Sequence, residues 1–300
     1  MAILTAKGIA STAVPLLVRN LVLARTVTLV GSDEYMGPNG GTVTVRVRQP
    51  RSARIQAQPK ATLTADDQIE VPVDVSLAHI YDLYDLSDQE QTYDLESFAM
   101  QITEPQVASV ATGAEDQLAA VMNALTADAD NVGGTVAAVK AAILEGRAFL
   151  SKNDAPAGDR YLACGPDFAN LVIEALGDRE TANTDSALRE AILGRLFGAT
   201  AIESNGLDPE TAVLYHRSGF VWANRRPFLP RGAAEAAAVT SQGVALRQLF
   251  QFDTSRAVDQ SMLSTFAGAA AVVDLDEDAS GSGLETENRR FFKIELDSGS

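Results

Sequence analysis

The strictest pattern in the chain is the alternation over residues 41–48, where Val43, Val45 and Val47 fall on one face and Thr42, Thr44, Arg46 and Arg48 on the other. A period of two predicts a half-buried strand. Residues 69–76 repeat it with Ile69, Val71, Val73 and Val75, while the span 49–68 is polar, carries Pro50 and Pro59, and lacks helical periodicity. The two segments predict a long hairpin over 41–84 with an extended tip. An isolated hairpin is marginal in water, so its valine face is expected to rest on a neighbouring copy of the chain.

Elsewhere the pattern changes period. A short amphipathic helix is predicted over 11–24, then an apolar stretch at 27–30 and a Gly/Pro/Asn cluster at 37–41. Pro105 stands where a helix starts, since proline is tolerated in the first turn. From there to 127, Leu118, Val121, Met122 and Leu125 form one stripe. After Gly133-Gly134, residues 135–150 predict a second helix facing inward through Val136, Val139, Ile143 and Leu150. A strand at 160–164 leads into a helix opened by Pro166. Asp185 is placed to cap a further helix carrying Leu188, Ala191, Ile192 and Leu196. The remainder predicts strands at 199–203, 212–216, 220–223, 244–252, within 258–273 and at 291–296, with a Gly/Ser connector at 280–283. No internal repeat is visible.

Three hundred residues, 46% of them apolar, suffice for one large core or two modest ones. No apolar run approaches the roughly 20 residues of a membrane span. Arg19 interrupts the apolar stretch near the N-terminus where an export signal needs continuity. The single Cys164 excludes an intramolecular disulfide and suits a reducing compartment. The net charge of −16 argues against a sequence-specific DNA binder. That charge is unevenly spread: residues 1–60 hold eight Lys and Arg against two acids, a net of +6, which leaves −22 for the rest. Such a split favours head-to-tail contact, the basic arm and hairpin of one copy lying on the acidic body of the next. The blander reading is that the two signs merely solvate different faces.

Candidate chemistry is sparse. His79, His216 and Cys164 lie far apart, and a Cys/His pair would require Cys164 and His216 to meet. Neither a Gly-x-Ser-x-Gly elbow, a phosphate-binding loop nor a dinucleotide fingerprint occurs, and zinc sites need more Cys and His. Asp274, Asp276, Asp278, Ser280 and Glu285 fall at positions 1, 3, 5, 7 and 12 of a calcium loop, but position 6 is Ala279 where the turn needs glycine, so a solvated acidic loop is expected. Lys60 is the only lysine between Lys7 and Lys140. It invites an isopeptide crosslink, against the plainer reading of an exposed lysine. Asp82 and Asp85 are the remaining carboxylate candidates and fall where a strand ends. No catalytic residue, metal or cofactor is assigned.

The order of arm, projecting hairpin, long helix, compact α/β block and strand-rich block resembles the major capsid proteins of tailed bacteriophages, with the Hong Kong phage-type fold. Some stretches are similar to actinobacterial-phage members: residues 94–99 (DLESFA), 102–107 (ITEPQV), 187–191 (ALREA), 196–198 (LFG), 202–205 (IESN), 216–220 (HRSGF) and 264–269 (STFAGA). The resemblance implies an α+β fold with an N-terminal arm (1–40), an extended β-hairpin loop (41–84), a spine helix and peripheral domain (85–204), an axial domain (205–250) and a return to the peripheral domain with a C-terminal strand (251–300). It implies a non-enzymatic shell protein, forming pentamers and hexamers in an icosahedral head around double-stranded DNA, without sequence-specific binding and without a membrane. Scaffolding, portal and decoration proteins would be partners, and assembly would take place in the host bacterial cytoplasm. Some relatives carry a scaffolding segment ahead of the arm. Here the arm begins at residue 1, so scaffolding is expected from another protein or from a cleaved segment. Val43, Val45, Arg46, Val47, Arg48, Arg51, Arg54 and Lys60 are the expected contacts between copies. An encapsulin-like compartment shell is the alternative, and an enzyme using Asp82 and Asp85 a third.

Overall fold

The computed structural model describes residues 6–30, 41–48, 55–56, 58, 62–63, 70–87, 99–176, 192–232, 235–241, 243–256, 258–277 and 284–297. Among the described residues four α-helices form: α1 (Ala6–Asn20), α2 (Glu104–Asn123), α3 (Val136–Lys152) and α4 (Pro166–Leu176). Apolar residues recur at helical spacing on each. On α1, Ala10, Ala13, Val14 and Leu17 are fully buried, and on α2 Val107, Val110, Ala111, Ala114, Leu118 and Met122 make one continuous stripe. Pro105 sits in the first turn of α2. Thr135 caps α3, its hydroxyl accepting the Ala138 N–H at 3.3 Å.

The first four strands are β1 (Thr28–Val30), β2 (Thr42–Arg48), β3 (Glu70–Ser76) and β4 (Ala78–Ser87). The next six are β5 (Ala129–Val132), β6 (Arg160–Cys164), β7 (Ile192–Leu196), β8 (Ala199–Glu203), β9 (Thr211–His216) and β10 (Phe220–Arg225). The last are β11 (Glu235–Ser241), β12 (Val244–Asp253), β13 (Val258–Ala271), β14 (Asp274–Glu277), β15 (Leu284–Glu287) and β16 (Phe291–Leu296).

Two six-stranded sheets result. The first runs β1-β10-β13-β12-β11, with β4 paired to the other side of β13. The second runs β5-β16-β9-β6-β8-β7. The stripe of α2 lies in the core between them, meeting Trp222, Leu246 and Leu263 of the first sheet and Val213, Tyr215 and Ile202 of the second. The second sheet is buried on both faces, because α3 and α4 cover its other side through Ile143, Phe168 and Val172 against Leu162, Ala212 and Leu214. That double burial explains why β6 and β9 read as near-continuous apolar runs rather than alternating ones. Lys293 of β16 ties the layers together: its buried ammonium donates to the Asn123 and Leu125 carbonyls at the end of α2, at 2.7 and 2.9 Å.

Several expectations are corrected. The valine face of the β2–β3 hairpin does not await a second copy: Val43, Val45, Val73 and Val75 are buried against Val30, Val221, Ala223 and Val272 of their own chain. Alternation marks a half-buried strand but does not identify what covers it. Likewise α1 packs on β11, β12 and α2 of its own subunit rather than reaching outward. Residues 192–196 form a strand, not the end of a helix, pairing antiparallel with β8. The tight connection uses Phe197 and Gly198, both with positive φ (50° and 90°), as a two-residue hairpin requires. Asp185–Ala191 lie outside the described residues. Residues 205–250 divide between both sheets: β9 shares a sheet with β6 and β8, while β12 of the first sheet runs through 250.

Candidate intersubunit surface

The β2–β3 register runs from Thr42 opposite Ser76 to Arg48 opposite Glu70. Its outer face is polar: Thr44 donates to Asp74 across the strands at 2.6 Å, and Arg46 lies 3.8 Å from Glu70. The Arg46 side chain is 75% exposed, so this ion pair contributes little. Val47, at the outer end, is half-buried and less covered than Val43 and Val45. The backbone of Arg48 pairs in the hairpin, whereas Arg51, Arg54 and Lys60 lie outside the described residues. Two tip residues stand out. Ile55 is 94% and Leu63 76% exposed, in a span otherwise polar.

A matching apolar area lies on the first sheet. The hairpin valines cover only the part of its face made by β1, β10 and the end of β13. The same face continues across β13 and β4, where register places Phe266 beside His79, Ser264 beside Tyr81 and Met262 beside Leu83. It reaches β12 at Leu249, the partner of Met262. Arg247, in register with Ser264, lies across the middle of this face, donating to Ser264 and to the Phe228 carbonyl at 3.1 and 2.8 Å; beside it Tyr81 is 59% and Leu83 47% exposed, and Phe266, Met262 and Leu249 are half-buried. The opposite face of β4 turns inward through Ile80 and Leu86. An exposed apolar strip on an edge strand is a place for another chain to pack. The sequence carries this strand only as the end of the hairpin at 84, whereas β4 is a separate strand that pairs with β13 and turns Tyr81 and Leu83 outward. Its alternation is interrupted by Asp82 and by Tyr84 and Asp85.

The catalytic candidates are not brought together. Cys164 and His216 occupy opposite ends of the β6–β9 pair, opposite Ala212 and Arg160 respectively. Cys164 is fully buried and burial pushes its thiol well up, so it is not an activated nucleophile. His216 bonds Ser218 at 2.8 Å, and desolvation holds its imidazole below the ordinary range. His79 is lowered likewise by burial and by Arg247. Asp85 is engaged by Arg256 at 2.6 Å and Gln260 at 2.9 Å, and strand alternation turns Asp82 to the other face. Asp274 is not a solvated acid: it is buried and held by the Arg290 guanidinium. The candidate calcium positions 276 and 285 face each other across β14 and β15, Asp278 and Ser280 are outside the described residues, and no group of three metal-binding side chains occurs among those described.

One charged residue escaped the sequence reading. Glu115 lies on the inward stripe of α2 between Ala111 and Leu118, and its carboxylate accepts the backbone N–H groups of Val22 and Ala24. A charge on an otherwise apolar stripe is the signal that could have found it.

No protein-family model and no curated protein matches the chain. Solved structures do. The chain is similar to the capsid of Ralstonia phage GP4 (TM-score 0.58, 6% identity, 92% of this chain and 88% of that one). A structure from Mycobacterium phage Che8 matches at TM-score 0.55 and 19% identity, over 93% and 92% of the two chains. The SrpI encapsulin of Synechococcus elongatus matches at TM-score 0.57 and 13% identity, over 93% and 88%. At these identities the likeness lies in the backbone, over nearly the whole of each chain. The chain therefore has the α+β fold of tailed-phage capsid proteins, which the encapsulin shell shares.

Proposed function

We propose that this chain is the major capsid protein of a tailed phage, a structural subunit that assembles as pentamers and hexamers into an icosahedral head around double-stranded DNA. The observation that carries this reading is the coincidence of a shell-protein fold along more than nine-tenths of the chain with an exposed apolar strip at Tyr81 and Leu83 on the edge strand β4. The hairpin tip is the natural occupant: Ile55 and Leu63 of one copy reach the strip of the next, while Arg46 and Arg48, with Arg51, Arg54 and Lys60 beyond them, meet its acidic body. The mechanism is assembly, not turnover. An acidic shell has no need to bind the packaged DNA and repels it from the wall. Scaffolding, portal and decoration proteins belong to the same reading, as do assembly in the host bacterial cytoplasm and residence in the virion capsid.

A second reading has one specific support, the match to the SrpI encapsulin, and keeps the shell while replacing DNA by protein cargo. Producing the chain with its genomic neighbours and imaging the sedimented fraction by electron microscopy separates the two. Closed shells holding DNA support the phage head, and shells holding protein support the compartment. A monomer or dimer under every condition defeats both.

A further inference from the structure

The seam between the N-terminal arm and the long helix α2 is apolar almost throughout. Ala13, Val14, Leu17, Leu21 and Leu23 pack on α2 and the first sheet. Its polar link is Glu115, whose Oε1 accepts the Val22 N–H and, at 3.3 Å, the Ala24 N–H. These belong to the short 3-10 turn Leu23–Arg25 that follows α1, and Val22 at its start has no side-chain cap of its own. A glutamate from a helix more than 90 residues away thus supplies the acceptor that this turn lacks.

We propose that Glu115 is a proton-operated clamp, so that docking of the arm, residues 6–25, onto α2 takes up a proton and weakens as pH rises. The argument begins with geometry. When the arm is docked, the carboxyl lies in an apolar seam, and when the arm lifts, the carboxyl meets water. The neutral form is favoured in the first state and the charged form in the second. Burial raises the Glu115 carboxyl to about 7, against the lowering effect of the turn's N–H groups, and Asp116 beside it adds to the rise. Docking is therefore strongest below the ordinary carboxylate range, and the excess is lost as pH rises through about 7.

The other groups at the seam do not reverse that sign. From β9, the Tyr215 hydroxyl is bonded to Thr26 at 2.6 Å and pushed well up by burial, so it stays neutral. From the turn comes Arg25, and from the turn after β9 comes Arg217. Both line a cleft of about 270 Å3 beside Trp222 and Leu29. The clamp is a property of the single chain and does not depend on the shell reading. In a shell, it would set when the arm becomes available to neighbouring copies.

The test uses the full chain carrying Ala13→Cys, a fully buried arm position, labelled with a dipyridyl disulfide from pH 5.5 to 8.5. Each rate is divided by that of the unfolded thiol at the same pH. Cys164, buried in the second sheet, reports opening of the body in the same sample. Protection at position 13 should fall about thirtyfold across this range, following the linkage for a carboxyl moving between its ordinary value and about 7. Protection at Cys164 should fall far less. Adding Glu115→Gln, which keeps an acceptor oxygen and cannot titrate, should flatten the profile. A flat profile in the parent, or an unchanged slope in the glutamine variant, overturns the proposal. Should that variant not fold, Asp116→Asn at an exposed position serves instead. It should move the midpoint to lower pH, and an unmoved midpoint also overturns the clamp.

Discussion

At Gly268 the backbone at the end of the hairpin lies directly against β13. A Cβ there would stand 2.1 Å from the Ser76 carbonyl oxygen and 3.3 Å from Leu77 Cα. Both are backbone atoms at the end of β3, so no side-chain rotation relieves the clash. Gly268→Ala should displace the hairpin base and destabilise the fold by about 1–3 kcal/mol or more, as overpacking does. Chemical denaturation measures this, and amide exchange should quicken at Val73 and Val75 before it does in the second sheet. An alanine variant of unchanged stability would mean that β3 sits further from β13. The requirement for glycine was not legible in the sequence, because it depends on Ser76, at the end of a strand 192 positions earlier, crossing at this point. Glu115 was legible in part, since its spacing puts it on the apolar stripe, but its partners on the arm were not.

For the hairpin and β4 the question is which contacts are internal and which face outward. Val43, Val45, Val73 and Val75 are internal, whereas Arg46, Ile55 and Leu63 are exposed, so disrupting assembly without unfolding means changing the exposed strip and the arginines of the hairpin. Tyr81→Asp with Leu83→Asp should leave the subunit folded, because surface changes away from buried features stay within about 0.5 kcal/mol. It should also abolish closed shells in sedimentation and electron microscopy. Normal shells from this double variant would remove the strip from the interface. Arg46→Glu with Arg48→Glu should likewise preserve folding, since the exposed Arg46 pair contributes at most about 1 kcal/mol. It should block shell closure if, as proposed, this charge meets the acidic body of the next copy. Shells like the parent's would sink that role. The α/β elements were legible because period and punctuation agreed: Pro105, Thr135 and Pro166 open α2, α3 and α4 where the apolar spacing begins. The strand β7 was misread because Leu188, Ala191, Ile192 and Leu196 fit a helical spacing, while the Phe197-Gly198 turn decided otherwise.

At the scale of the whole molecule, α2 is the common wall of two sheets, so the chain is expected to unfold as one unit. Leu118 is fully buried where both sheets meet. Leu118→Ala should cost about 2–5 kcal/mol through the cavity it leaves. It should lower the midpoint of a single calorimetric transition rather than split it. Two transitions would mean that the sheets fold separately. By itself the sequence determined the four described helices, most strands of the two sheets, the scarcity of catalytic groups and the basic character of the hairpin, because these follow from local period, end signals and composition. Only the tertiary structure decided that the valine face closes on its own subunit, that residues 205–250 divide between two sheets, and that Tyr81 and Leu83 remain outside. Each depends on which surface a strand meets after the chain has returned over a hundred or more residues, and a period of two records only that one face is covered.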